Sequence, residues 1–312
     1  MKYILFLSPC FKKRIWGGDY FQKVMNKTDS KEPIGEMWSA SGHPKGDSLI
    51  SNGRFQGKTL REIYENNPEF FNYPKSKVFP ILIKLIATAD DLSIQVHPND
   101  DYAIKNENGL GKTEAWIIIE AKEDAEIIYG HNAKSKEELI NLIGNNKYDE
   151  FLNRVKVNKG DFYPIPAGTI HALGKGIILL EVQQSSDITY RIYDYNRKDK
   201  DGNTRELHID KAIDVTTYDK TNNFKPLNYL QSEKDEIELW DNNYFKINLL
   251  KVNSKYKLPS FEYYGIISVI EGKFIIEGRT LSIGDSFVAP NLAEDLFLTG
   301  DGRIVITIPK ES

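Results

Sequence analysis

Cysteine is nearly absent from this chain, and long apolar runs are missing. The 312 residues include one cysteine, Cys10, which excludes an intrachain disulfide and a zinc site built from paired cysteines. This usage is typical of the reducing cytoplasm, where we predict that the protein resides. No apolar run reaches the ~18 residues that a membrane-spanning helix requires. The apolar stretch 3–7 is too short to be the core of a signal peptide.

An excess of positive charge is also lacking. Lys and Arg total 41 against 45 Asp and Glu, so the formal net charge is −4. The chain therefore has no overall electrostatic attraction to nucleic acid or to an anionic membrane, although a local basic pocket for a small anion is compatible with it. A hydrophobic fraction of 40% is typical of a globular protein, and the length predicts about two domains.

Short β-strands are predicted along most of the chain. Segments rich in β-branched and aromatic residues are separated by Gly, Pro, Asn and Asp, a pattern that favours a mainly β barrel or sandwich over alternating strands and helices. The predicted strands are 3–7, 79–87, 92–97, 115–121, 126–130, 162–166, 176–184, 187–195, 245–252, 264–272, 273–278 and 285–290.

Helices are predicted in three short segments, at about 59–67, 99–108 and 134–152. The first contains the capping-box pattern Thr59-x-x-Glu62, and the third contains Ser135-x-x-Glu138. These segments are predicted to be helical insertions in a β domain.

An internal repeat indicates two related β units. Gly160–Pro166 is matched by Gly284–Pro290, each with a Gly-Asp turn, a short strand and a proline at the same offset. Gly168 and His171 follow the first copy, whereas Leu292 and Asp295 occupy those places in the second. We therefore predict a metal-bearing unit over 1–235 and a second unit over 236–312 without metal ligands, joined through the polar stretch 217–236.

Two of the five histidines lie in patterns typical of metal sites. On a strand, Ser93, Gln95 and His97 would share one polar face opposite two apolar residues. Glu114 begins a strongly apolar strand, where an ionised carboxylate is costly unless it is paired or bound to a metal.

The segment around the second of these histidines, His171, resembles the second signature motif of the cupin superfamily. Gly160 to His171 follows G-x5-P-x-G-x2-H, although Lys175 stands where the family usually has Asn. Two imidazoles, one carboxylate and one amide make His97, His171, Glu114 and Gln95 a credible ligand set for zinc, manganese or iron.

Six segments together resemble type I mannose-6-phosphate isomerases, in the short bacterial form with two cupin units. They are RIWGG (14–18), GEMWSASGHP (35–44), SIQVHP (93–98), GKTEAW (111–116), GDFYPIPAGTIHALG (160–174) and EVQQSSDITYRIYDY (181–195). The resemblance runs from about residue 5 to 215 and continues more weakly over 240–310.

This resemblance implies two cupin-type jelly-roll barrels and a zinc enzyme that interconverts mannose 6-phosphate and fructose 6-phosphate through an enediol. It implies one Zn²⁺ per chain, held by the four ligands named above, and an active-site arginine at Arg191, on a predicted strand face with Thr189 and Tyr193. A dianionic phosphate needs fixed cations, and Lys112 and Lys84 are further candidates. The expected partner is a small sugar phosphate, and the expected assembly is a monomer or homodimer.

Several assignments stay open at this stage. Lys112 joins Arg191 as a candidate catalytic residue, and Ser93, Lys84 and Trp16 are candidate substrate-binding residues, but the sequence does not identify the base that moves the proton. Two other functions fit the same ligands. A cupin oxygenase uses iron with two histidines and a carboxylate, and a sugar-binding protein could be built on the same barrel.

Overall fold

The protein is mainly β, as predicted, in a computed structural model that describes residues 3–198, 201–218, 225–291 and 295–310. The strands are Leu5–Ser8 (β1), Cys10–Gly18 (β2), Ile34–Ser41 (β3), Leu49–Ile50 (β4), Ile81–Ala87 (β5), Ile94–Val96 (β6), Glu114–Ala121 (β7), Glu126–His131 (β8), Leu152–Lys156 (β9), Asp161–Ile165 (β10), His171–Leu173 (β11), Ile177–Gln184 (β12), Tyr190–Tyr193 (β13), Leu227–Asn228 (β14), Glu236–Asp241 (β15), Phe245–Val252 (β16), Lys255–Lys257 (β17), Tyr264–Ile276 (β18), Arg279–Ser282 (β19), Ser286–Pro290 (β20) and Phe297–Pro309 (β21).

Helices are short and coincide with the three predicted segments, with one addition near residue 210. The α-helices are Leu60–Asn66 (α1), Asp100–Glu107 (α2), Lys136–Gly144 (α3), Tyr148–Phe151 (α4) and Ile209–Val215 (α5). A π-helical turn covers Tyr20–Val24, and 3₁₀ turns cover Gly53–Phe55, Pro68–Phe71 and Tyr229–Gln231. None of the described helices has the length and apolar character needed to cross a membrane.

The strands form three antiparallel sheets. The seven-stranded sheet has the order β14-β10-β7-β12-β5-β3-β2, and the five-stranded sheet has the order β13-β6-β11-β8-β9. The nine-stranded sheet has the order β15-β16-β21-β18-β20-β1-β4, with β17 paired to β21 and β19 to β18. Among the described strands, none of these sheets closes on itself into a single barrel.

The sheets and helices pack in layers. Strands β7 and β12 show this most clearly, because their alternate side chains enter different cores. Ile117 and Leu180 pack with the nine-stranded sheet, whereas Ile118 and Leu179 pack with the five-stranded sheet. The opposite face of the five-stranded sheet packs against α3, α4 and α5. The seven-stranded sheet is thus covered on both faces.

The two matching motifs fold into the same turn. Gly160 and Gly284 have φ values of 92° and 82°, a region in which a residue with a Cβ is strained. The carboxylate of the following aspartate accepts a hydrogen bond of 2.8 Å from the backbone three residues earlier, from Asn158 to Asp161 and from Ser282 to Asp285. Beyond the second motif, Leu292 lies outside the described residues, and Asp295 forms an exposed ion pair with Lys257.

Hydrogen bonds cross the predicted division at residue 235. Strand β1 pairs with β20, so that Leu5 lies opposite Val288 and the start of the chain belongs to the C-terminal sheet. The division into 1–235 and 236–312 remains a prediction, and the pairing of β1 with β20 ties its two parts together.

Some local predictions were wrong. Ten of the described strands were not predicted: β2, β3, β4, β9, β11, β14, β15, β17, β19 and β21. Strand β21 contains Gly-Asp-Gly (300–302), a sequence typical of a turn, but it is held along its length by β16 and β18. Helix α5 was also missed, since its N-cap makes no side-chain hydrogen bond. Its helical state depends on packing of Ala212 and Ile213 against the five-stranded sheet.

Helix α1 provides a direct test of local stability. The Thr59 hydroxyl accepts a hydrogen bond from the backbone of Glu62, and the Glu62 carboxylate accepts one from the backbone of Thr59. We expect Thr59→Ala to lower the free energy of unfolding by about 1 kcal/mol in urea titrations, because the first turn loses its acceptor. Glu62→Gln can still accept from Thr59 and should cost less. Equal losses in both variants would contradict this account.

Candidate active site

A cavity of about 550 Å³ opens between the seven-stranded and five-stranded sheets. Seven of the side chains that line it are basic and three are acidic, so the cavity is positive although the whole chain is negative. The lining consists of Lys12, Arg14, Trp16, Glu36, Trp38, Lys45, Lys84, Ile86, Leu92, Ser93, Gln95, Lys112, Glu181, Asp187, Thr189, Arg191 and Arg205.

Three buried side chains meet next to Gln95 and Lys112, two residues that line this cavity. Ligand atoms of His97, Glu114 and His171 all lie within 4.8 Å of one another, and each side chain is at most 1% exposed. His97 follows β6, His171 begins β11 and Glu114 begins β7, so the cluster joins the two facing sheets. The cross-strand partner of His171 is Gln95, whose amide lies 3.4 Å from the His171 Nε2 atom.

Both histidines are oriented by backbone carbonyls. The Nδ1 atom of His97 donates to the carbonyl of Ile188 at 2.9 Å, and that of His171 donates to Thr169 at 2.8 Å. Each ring is therefore left with an unprotonated Nε2 atom that faces Glu114, the arrangement that metal-binding histidines require. Burial lowers the pKa of His171 to about 3 and the pKa of His97 well below its ordinary value, and the Lys112 charge adds to both effects.

The spacing of these atoms fits one bound metal ion. The Nε2 atoms of His171 and His97 lie 3.3 Å and 3.5 Å from the carboxylate oxygens of Glu114. Two ligands about 2.0–2.1 Å from a tetrahedral ion are about 3.3–3.4 Å apart. The Glu114 Oε1 atom is buried and has no hydrogen-bond donor among the described residues. Burial and the Glu181 charge raise the pKa of Glu114, so a cation is needed to keep it ionised.

Lys112 supplies part of this positive charge. Its ammonium group contacts the Glu114 carboxylate and lies 3.0 Å from the His97 Nε2 atom. The side chain is 5% exposed and also lines the cavity. It therefore stands between the cluster and any molecule that enters from the open end.

A second group of buried charges lies beside the cluster. Lys84 donates to Glu181 at 2.7 Å and to Gln183, and Trp116 donates to the other oxygen of Glu181 at 3.0 Å. Burial alone would lower the pKa of Lys84, but the charges of Glu181 and Glu36 outweigh it and leave this pKa raised. Burial alone would raise the pKa of Glu181, and Lys84 and Lys112 lower it instead. Lys84 and Glu181 are consequently both charged at neutral pH.

Arg191 approaches the cluster from the five-stranded sheet. It is the cross-strand partner of Gln95, its Nε atom donates to the Ser93 hydroxyl at 3.2 Å, and a terminal nitrogen donates to the Glu206 carbonyl at 2.8 Å. Its predicted companion Tyr193 points elsewhere. An irregularity follows Arg191 in β13, and the Tyr193 ring stacks on Tyr148 at 4.3 Å, on the helical side of the sheet.

The chain is similar in sequence and in structure to proteins of one enzyme family. Residues 4–114 match the catalytic domain of type I phosphomannose isomerases. A mannose-6-phosphate isomerase of Streptococcus mutans is 41% identical over 311 residues, with 98% of each chain covered. The mannose-6-phosphate isomerase ManA of Bacillus subtilis is 44% identical over 280 residues, which are 89% of this chain and 87% of that protein. The crystal structure of a mannose 6-phosphate isomerase from Bacillus subtilis has a TM-score of 0.86 at 39% identity, covering 98% of this chain and 99% of that one.

The chain belongs to the type I mannose-6-phosphate isomerase family. The family resemblance stated from the sequence is confirmed, and the chain is an enzyme of this isomerase class. The oxygenase and the sugar-binding protein are set aside as alternatives.

The residues predicted for the isomerase site lie together. The three metal-ligand candidates His97, Glu114 and His171 form the cluster, and the other candidates line the cavity that leads to it: Gln95, Lys112, Arg191, Ser93, Lys84 and Trp16. Their individual roles remain predictions.

Sequence reasoning did not assign roles to several other residues around this cavity. Glu36 and Glu181 lay within segments quoted for the family resemblance, and that was the available signal. Glu36 accepts two hydrogen bonds from Arg14, at 2.7 and 2.9 Å, and a third from Trp38 at 2.7 Å. Lys12 and Lys45 had no signal in the sequence, because strand β2 was not predicted and Lys45 lies in a loop.

The buried Lys84–Glu181 pair of this isomerase can be tested through stability. We expect Lys84→Met to lower the free energy of unfolding by about 3 kcal/mol at pH 7, because a buried carboxylate loses its cation. A carboxyl group with a lowered pKa stabilises the fold above its ordinary pKa, and this contribution is lost as the pH falls through the folded value.

The difference in unfolding free energy between wild type and Lys84→Met, measured in urea titrations, should therefore shrink as the pH falls from the ordinary carboxyl pKa toward the lowered pKa of Glu181. The double variant Lys84→Met/Glu181→Gln should lose less stability than Lys84→Met alone, since no unpaired charge remains. A double variant that is less stable than the single one would argue against this interpretation.

Proposed function

We propose that the protein is a zinc-dependent aldose–ketose isomerase that interconverts mannose 6-phosphate and fructose 6-phosphate through an enediol. One observation carries the proposal: a His, Glu, His and Gln donor set lies beside a cavity whose lining has more basic than acidic side chains. Both imidazoles turn an unprotonated nitrogen toward Glu114, as metal ligands require, and the basic walls suit a dianionic phosphate. The names of the full-length relatives agree with this substrate.

The donor set assigns four ligands to the metal: Gln95, His97, Glu114 and His171. A zinc ion held there would act as a Lewis acid that lowers the free energy of negative charge on the sugar oxygens. The protein contributes the fixed positions of these side chains on two facing sheets. Since Glu114 and both histidines are buried, they need no rearrangement when substrate enters.

Arg191 is proposed to stabilise the charge that grows as a proton leaves the carbon next to the carbonyl. Its cross-strand pairing with Gln95 places it beside the metal ligands. Its guanidinium is half-buried, and burial lowers its pKa from the ordinary value without removing the charge. A planar cation fixed by Ser93 and the Glu206 carbonyl can meet a developing oxyanion without moving.

The remaining predicted residues are proposed to shape the same pocket. Lys112 lies closest to the ligands and is proposed to act on the reacting atoms. Lys84 holds Glu181 and Gln183 in place at the wall. Ser93 fixes Arg191 by a hydrogen bond, and Trp16 supplies an apolar surface for a sugar ring.

We also propose the finer description of the fold and setting. The five-stranded and seven-stranded sheets would be the two halves of one cupin-type jelly roll over 1–235, and 236–312 would form the second cupin unit, without metal ligands. A cytoplasmic location, with a monomeric or homodimeric state, is proposed from the single free Cys10 and the family.

A coupled assay tests the proposed function directly. Purified protein loaded with zinc should form fructose 6-phosphate from mannose 6-phosphate, and a chelator should abolish the reaction until zinc is restored. No conversion by zinc-loaded, folded protein would refute the proposal.

His97→Ala is expected to remove both the metal and the activity. The loss of one of two imidazoles lowers metal affinity, so metal analysis should find one zinc per wild-type chain and almost none in the variant. Asp295→Asn is the matched control, because Asp295 stands at the place in the second motif that His171 occupies in the first. It should retain full zinc content and turnover, and a hundredfold loss of activity in this control would contradict the assignment of chemistry to the first unit.

Arg191→Ala is expected to reduce kcat by roughly a hundredfold or more with KM nearly unchanged, a loss of about 3 kcal/mol of transition-state stabilisation. Arg191→Lys should recover little, because it loses the planar two-pronged geometry. Steady-state kinetics on zinc-loaded protein provide the measurement. A rise in KM alone would instead assign Arg191 to uniform binding of the phosphate.

A further inference from the structure

The seven basic side chains of the cavity differ in how their charge is compensated. Five of them have a carboxylate partner: Arg14 with Glu36, Lys45 with Asp187, Lys84 with Glu181, Lys112 with Glu114 and Arg205 with Asp194. Among the described residues, no carboxylate lies within ion-pair distance of the other two, Lys12 and Arg191. These two cations are therefore the ones whose charge is available to an anionic ligand.

The two unpaired cations lie on different walls. Arg191 is the cross-strand partner of Gln95 in the five-stranded sheet, next to the buried metal ligands. Lys12 lies in β2, at the edge of the seven-stranded sheet. When the reacting end of a sugar lies beside the metal ligands and Arg191, its phosphate needs a separate cation. Lys12 is the remaining cation without a carboxylate partner.

Lys12 is held by neutral groups only. Its ammonium lies 4.6 Å from the centre of the Trp38 ring and donates to the backbone carbonyl of Lys45. The Lys45 side chain is 72% exposed, so this contact marks the outer end of the cavity. An ammonium group has three N–H donors, and the single carbonyl uses one of them. The others are left for a ligand at the cavity mouth.

Gly46 leaves the space that this lysine fills. A Cβ atom at Gly46 would lie 2.6 Å from the Trp38 ring and 2.7 Å from both the Cε and the Nζ atoms of Lys12. Trp38 is itself 3% exposed and its indole nitrogen donates to Glu36, so the ring has little room to move. A side chain at position 46 would therefore displace the ammonium of Lys12.

We propose that Lys12 binds the phosphate group of the substrate at the mouth of the cavity and that Trp38, the Lys45 carbonyl and Gly46 hold it there. Lys12 thereby makes the site specific for phosphorylated over free sugars. This inference rests on the proposed function, since it assigns one end of that substrate.

Lys12→Met tests the proposal, with Lys13→Met as the matched control. Lys13 is the next residue of the same strand, but its side chain is 62% exposed and paired with Glu32 at 2.8 Å. In Lys12→Met the KM for mannose 6-phosphate should rise about ten- to hundredfold, because a charged hydrogen bond is lost, while kcat changes less than about twofold. Lys12→Arg should retain more affinity than Lys12→Met.

Two further measurements separate phosphate binding from a general defect. The inhibition constant of inorganic phosphate should rise in Lys12→Met by a factor similar to the rise in KM, whereas kcat/KM for unphosphorylated mannose should not change. An unchanged KM for mannose 6-phosphate, or equal losses on both sugars, would overturn the proposal. Wild-type protein that fails to convert mannose 6-phosphate would refute the proposed function instead, so the two failures are distinguishable.

Gly46→Ala tests the positioning separately. It should raise the KM for mannose 6-phosphate in the same direction as Lys12→Met, since the new methyl group displaces the ammonium. The double variant Lys12→Met/Gly46→Ala should be no worse than Lys12→Met alone, because both changes remove one interaction. Additive increases in KM would show that Gly46 acts independently of Lys12 and would contradict this positioning.

Discussion

Burial of ionised groups between two sheets is the constraint on which the site depends. Glu114 has no exposed surface, and Glu181 and Lys84 are less than a tenth exposed. Such groups are costly in a protein interior unless each finds a partner of opposite charge or a metal. Lys84 pairs with Glu181, and Lys112 contacts Glu114. The two histidines and the unpaired oxygen of Glu114 leave a place that suits one more cation.

The layered packing makes this arrangement possible. Strands β7 and β12 each present a polar face at one end to the cavity and a mostly apolar face to the nine-stranded sheet. Glu114 and Trp116 face one way, while Ala115 and Ile117 face the other. The nine-stranded sheet covers that apolar face, yet among the described residues none beyond Arg205 lines the cavity. Its contribution to the site is support: it keeps the outer surface of the ligand-bearing strands away from water.

Local charge, not overall charge, decides what this cavity can admit. The chain as a whole carries −4, but the lining has an excess of basic groups. Most of these basic groups are compensated by carboxylates, which fixes their positions and reduces their attraction for small anions in solvent. The net positive charge that remains is concentrated on Lys12 and Arg191. This distribution suits a ligand with an anionic group at one end and a reacting carbonyl at the other.

By itself, the sequence determined the mainly β class, the three early helical segments and the metal-ligand candidates. Alternating polar and apolar residues and capping boxes are local signals, and the ligand motifs are short. His97, Glu114 and His171 could be named because each stands in a recognisable local pattern. Gln95 could be placed on the same face as His97 by strand periodicity alone.

Tertiary structure decided which separated residues share the cavity. Lys12 reaches it because β2 pairs with β3, and Lys45 because a loop folds back over Trp38; neither contact has a local signature. Tyr193 was placed wrongly, since one irregularity in β13 is enough to reverse the direction of the side chains that follow. Strand pairing between distant segments also assigned Leu5–Ser8 to the C-terminal sheet, and such pairing depends on long-range packing that no short stretch of sequence specifies.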